Sequence, residues 1–114
     1  MSQRGLVVVA VVRAKEGKEE QLRQSLLAMV TPTRSEPGCI RFQVHQALKD
    51  KSLFMSYEVW ADVEALQNHL QTPYMKAFMG RAPELAADLD RQALHLLGIE
   101  SNPDISEWTR IGRE

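Results

Sequence analysis

The run Leu6-Val7-Val8-Val9-Ala10-Val11-Val12 limits the possible folds more than any other part of this chain. Five of its seven residues are valine, whose branched side chain suits a pleated strand. Side chains in a strand point alternately to opposite faces, so a run with no polar alternate has two faces to bury. It is far too short to cross a bilayer. No small-residue cleavage site follows it, so a secretory leader is not expected. The rest of the chain must therefore supply cover for two faces of one sheet.

Beyond Gly17 the spacing becomes helical. From Lys18 to about Ser35, Leu22, Leu26, Met29 and Val30 recur on one side, with Glu and Gln opposite. Pro32 is expected to kink the last turn and Pro37-Gly38 to end it. Ile40 to Ala47 alternates, with Ile40, Phe42 and Val44 on one face and Arg41, Gln43 and His45 on the other. After the polar turn Lys49-Asp50-Lys51, Leu53 to Trp60 reads as the second arm of a hairpin. Asp62 is placed to cap a helix carrying Val63, Leu66 and Leu70, and Pro73 to start another running past Met75 and Phe78. Gly80 and Pro83 are expected to interrupt that helix before a further turn or two to Leu89. Ala93 to Ile99 is read as the last strand. The domain is expected to span residues 1–100, and residues 101–114, with Asn102-Pro103 near their start, to form a polar tail.

The order is βαββαβ, an α+β, ferredoxin-like protomer with an antiparallel sheet and helices on one face. The other face would carry alternate residues of the first strand together with Leu53, Met55 and Tyr57. An apolar patch of that size calls for a partner, and a second copy of the sheet is the simplest cover, so a homodimer is expected.

With 114 residues the chain can build one core but not two. A net charge of -1 and scattered Arg and Lys give no attraction to nucleic acid or to an acidic membrane face. The single cysteine, Cys39, has no internal disulfide partner, which points to a reducing cytoplasm. It directly follows Pro-Gly, as a small packing residue would. The three histidines stand at no metal-binding interval, and there is no Cys-x-x-Cys. No Gly-x-Gly-x-x-Gly follows the first strand. Neither a metal nor a dinucleotide or flavin cofactor is expected.

Candidate chemistry gathers between Tyr57 and Phe78. His69 borders the buried stripe of its helix, and histidine titrates near neutrality, so it is either a general base or a half-buried structural residue. Glu58 lies mid-strand, where a carboxylate needs water, a charge partner or a pocket. It is either the orienter of His69 or half of an ion pair. Trp60, Phe42 and Phe78 are apolar wall or core. Tyr57 points to the opposite face, His45 to a cavity or the dimer seam, and His95 is given a structural role.

Glu58-Val59-Trp60, Ala65-Leu66-Gln67-Asn68-His69, Thr72-Pro73-Tyr74 and Phe78, with Glu36-Pro37-Gly38-Cys39 upstream, resemble the antibiotic biosynthesis monooxygenase family from about Leu6 to Leu97. The resemblance implies a dimeric α+β barrel that oxidises quinols or other small phenolic compounds without a cofactor. It implies His69 as base, Glu58 as its orienter, and Trp60, Tyr74, Phe78, Phe42 and His45 around a small aromatic or quinone-like substrate. The family's Thr-Pro-His is Thr-Pro-Tyr here, which removes a second histidine. The related haem-degrading enzymes carry an asparagine in the first strand, and this chain has none, so haem is not expected. Two alternatives share the scaffold: an isomerase of a phosphorylated sugar-like metabolite, with Arg41 or Arg81 as phosphate ligand, and a non-catalytic dimer that binds small aromatics.

Overall fold

A computed structural model describes residues 5–94. Its elements are β1 (Leu6–Ala14), α1 (Glu19–Ala28), α2 (Val30–Arg34), β2 (Cys39–Gln46), β3 (Leu53–Trp60), α3 (Val63–Leu70), α4 (Pro73–Leu85) and β4 (Ala86–Leu94). All strand pairs are antiparallel, and the sheet order is β2-β3-β1-β4. This is the ferredoxin-like arrangement that the order of elements predicts.

The valine-rich run does what its two apolar faces require. Leu6, Val8, Ala10, Val12 and Ala14 are buried under the helices. Val7, Val9 and Val11 point the other way, beside Val59, Tyr57 and Met55 of β3. That second face carries no helix and remains half-exposed in the protomer, with Val11 38% exposed.

Three local readings are corrected. The first helix is two: α1 stops at Ala28 and α2 begins at Val30, with Pro32 in the first turn of α2, where a missing N–H is tolerated. Second, α4 runs unbroken through Gly80 and Pro83 to Leu85, and residues 86–89 are strand rather than helix. The last strand thus begins seven residues earlier than Ala93, because pairing with β1 extends it from Leu94 back to Ala86. Third, Ile40 breaks the alternation of β2. Cys39 pairs with Trp60 and Arg41 with Val59, so Ile40 is the extra residue of a bulge and is exposed. Residues 95–99 of the expected last strand, His95 and the tail lie outside the described residues.

The core divides in two. Val12, Leu26, Met29, Phe54, Met75 and Phe78 belong to one cluster; Leu6, Val8, Phe42, Trp60 and Leu66 belong to the other. Between them the helix-facing row of the sheet reads Val44, Ser56, Ala10, Arg91 from β2 to β4. Two small side chains at its centre leave the helices nothing large to pack on.

Candidate functional site

A cavity of about 40 Å³ opens above that row. Its polar lining is Ser56, Glu58, His69 and Arg91; Phe42, Phe78, Met29 and Met75 are among its apolar walls. Room for a few water molecules is less than an aromatic ring needs. A ring therefore enters only as wall side chains move, and methionine is the side chain best able to do so.

His69 reaches this wall from the last turn of α3, which begins where Asp62 Oδ1 accepts a hydrogen bond from Ala65 N at 2.8 Å. It is 2% exposed. Its ring lies 4.7 Å from that of Trp60 and 5.9 Å from that of Phe42. Nδ1 is 2.9 Å from Glu36 Oε2. A carboxylate oxygen accepts, so the proton sits on Nδ1, and in the neutral ring Nε2 carries the lone pair.

Glu36 is the residue that sequence reasoning passed over. It heads the turn Glu36-Pro37-Gly38-Cys39, closed by Cys39 N donating to Glu36 O at 3.1 Å. Proline at the second position and Gly38 at φ +86° make this a type II turn. Gly38 also packs so closely on α3 that a Cβ there would lie 2.6 Å from Ala65 Cβ. The turn thus sets Glu36 one helical turn along from Ala65, beside His69. The Tyr74 hydroxyl donates to the same Oε2, and its oxygen is 3.2 Å from Pro32 O. Burial first, then the Glu36 carboxylate holding its proton, pushes the Tyr74 phenol up to about 12.

Glu58 lies on the helix-facing side at 7% exposure and lines the same cavity as His69. The expected Glu58–His69 pairing is nevertheless corrected. Glu58 Oε1 accepts from Trp60 Nε1 at 2.9 Å and Oε2 from Ser56 Oγ at 2.7 Å, both neighbours on its own strand face. Trp60 is fully buried, packs behind His69 and spends its N–H on Glu58, so it does not line the cavity. Phe42 and Phe78 do line it. Tyr74 stands behind Glu36 rather than at the cavity wall. His45 is on the open sheet face, exposed, with Nδ1 3.4 Å from Met55 O; the pleat takes it away from the cavity.

Burial raises the Cys39 thiol, and the Glu36 and Glu58 charges raise it further, which disfavours the thiolate that a nucleophile needs. Among the described residues no three His, Cys, Asp or Glu side chains converge as a metal site, and no helix is long and apolar enough to cross a membrane.

A family model described as antibiotic biosynthesis monooxygenase matches residues 5–81. An uncharacterised protein of Synechocystis is 34% identical over 82 residues, covering 72% of this chain and 56% of its own length. A Bacillus subtilis protein, YcnE, named as a candidate monooxygenase, is 26% identical over 86 residues, 75% of this chain and 90% of that one. The crystal structure of a Pseudomonas aeruginosa protein superposes with a TM-score of 0.81 at 33% identity, covering 86% of this chain and 98% of that one. This chain thus spans little more than half of the Synechocystis relative and nearly all of the other two.

Proposed function

Because the chain belongs to the antibiotic biosynthesis monooxygenase family, we propose that its cavity oxidises a small phenolic compound, a quinol in the simplest case, with dioxygen and without a cofactor. The observation that carries this reading is the Glu36–His69 pair, with the imidazole buried on the cavity wall. Glu36 fixes the tautomer, and Nε2 takes the phenolic proton as general base. The phenolate so formed is electron-rich enough to reduce dioxygen itself. A ring carbon bonds to one oxygen atom, and the other leaves as water. One hydroquinone and one dioxygen then give one hydroxyquinone and one water. The protein's share is to deprotonate, hold and desolvate the ring between Phe42 and Phe78. Glu58, tied to Trp60 and Ser56, is a fixed negative wall of the site rather than part of the relay.

The protomer works as a homodimer in this reading, with the open sheet face covered by a second copy. Charge supports that cover. Arg41 flanks the apolar stripe on the β2 side, and Asp88 and Asp90 flank it on the β4 side. A twofold that lays β4 over the partner's β2 sets opposite signs together. The unpaired Cys39 thiol fits a cytoplasmic home.

The isomerase alternative loses its two expected phosphate ligands at this cavity, since Arg41 lies on the open face and Arg81 is bonded to Ser25 between α1 and α4. Oxygen uptake by the purified protein with a panel of hydroquinones tests the proposal. Uptake of one dioxygen per hydroquinone, with hydroxyquinone as product, is expected. No uptake above the rate of the buffer would leave the non-catalytic binder.

A further inference from the structure

Arg91 is the cavity's one polar lining group that the proposed chemistry leaves without a task. It stands on β4 opposite Ala10, in the row of small residues over which the cavity forms. Its guanidinium offers five N–H donors, which suit a planar anion. Nη2 lies 3.5 Å from Met79 Sδ of α4, a weak acceptor. Among the described residues no carboxylate comes within 4.0 Å of it. Glu58, the acid across the cavity, has one oxygen engaged by Trp60 and the other by Ser56. Burial depresses the Arg91 pKa, and the charge of Glu58 works against that effect. A half-buried cation that leans on a thioether is poorly compensated, and a ligand anion would compensate it.

We propose that Arg91 is the anion anchor of this cavity, and that the natural ligand is a phenol bearing a carboxylate on its ring, with the carboxylate on Arg91 and the hydroxyl toward His69. The inference rests on the reading above that this cavity is the substrate site, and it narrows the substrate from a neutral quinol to an acidic one. The three features lie where such a ligand needs them: a cation from the edge strand, apolar walls from Phe42 and Phe78, and the imidazole from α3. Displacing the Met79 contact frees the guanidinium to pair with both carboxylate oxygens.

Calorimetric titration of the full chain with hydroquinone and with 2,5-dihydroxybenzoate tests this, because the two share a ring and differ by one carboxylate. The parent should bind the acid about tenfold or more tightly, the scale of one charge-assisted hydrogen bond. In Arg91→Met that ratio should fall to near one, while Arg91→Lys should keep part of it. Equal affinities in the parent would overturn the proposal, as would a preference that survives in a natively folded Arg91→Met. If Arg91→Met does not fold, loss of the preference in Arg91→Gln takes its place, and a preference kept there counts against the anchor. Inorganic phosphate is the third probe. Phosphate that binds where the dihydroxybenzoate does not would assign Arg91 to a phosphorylated ligand and sink the carboxylate. Oxygen uptake is read separately. A preference without uptake leaves the anchor standing and removes the monooxygenase; uptake without a preference does the reverse.

Discussion

At the scale of single residues, the site turns on which carboxylate meets His69. The sequence marked His69 correctly as a residue at the border of a buried stripe, and the cavity wall is where the structure has it. It could not show the partner, because Glu36 is 33 positions away and no periodicity links a turn to a later helix. The available signal was the glutamate heading a Pro-Gly turn just before a strand, a place where a solvated acid would serve equally well. Glu58 drew attention as a mid-strand acid, but its own strand neighbours satisfy it. Tyr74 replaces the second histidine with a donor that stays protonated. Its phenol is raised from 10.0 to about 12 in the folded state, so the folded protein holds that proton more tightly than the unfolded chain. Below pH 10 both states hold the proton and the contribution to stability is fully present; from about 10 to about 12 the unfolded state alone loses the proton, and stability falls. Denaturant midpoints measured across that range should decline for the parent and decline less for Tyr74→Phe. Parallel curves would mean that Tyr74 titrates normally.

At the scale of elements, β1 and β3 were legible because β-branched and aromatic residues leave few other choices, and the bounds of β3 were read without error. By contrast, β4 was not. Ala86–Leu94 carries Asp88, Asp90 and Gln92 on one face and Leu89, Arg91 and Ala93 on the other, a pattern with little intrinsic strand preference. Pairing with β1 makes it a strand, and that is a tertiary fact. Missing it also hid Arg91, which enters the cavity row only once β4 is in register. The turn that delivers Glu36 offers a sharper test of element geometry. Gly38→Ala meets two obstacles, the 2.6 Å approach to Ala65 Cβ and a φ of +86°. Together they should cost about 1–3 kcal/mol of stability in a denaturant titration. Adding Ala65→Gly removes the clash but not the strained φ, so it should restore part of the loss. Full restoration, or no loss to restore, would show that the turn is not held as described.

At the scale of the whole molecule, the first strand predicts more than the protomer satisfies. One face of Leu6–Ala14 is buried under helices, and the other waits for cover. The second sheet should bury more than ~1,200 Å² in total, so the parent should sediment at about twice 12.9 kDa at micromolar concentration. Val9→Lys, at the centre of the open face, should shift it to 12.9 kDa with the protomer still folded. A parent that sediments as a monomer would refute the dimer and leave the cavity argument untouched. The central claim is that His69, held by Glu36, is the base that starts cofactor-free oxidation of a phenol. Its most direct test is the rate of oxygen uptake with a hydroquinone substrate, parent against His69→Ala, on protein shown by circular dichroism to be folded. The account predicts that the variant loses about 10²–10⁴ in kcat. A folded variant that consumes oxygen at the parental rate would contradict it.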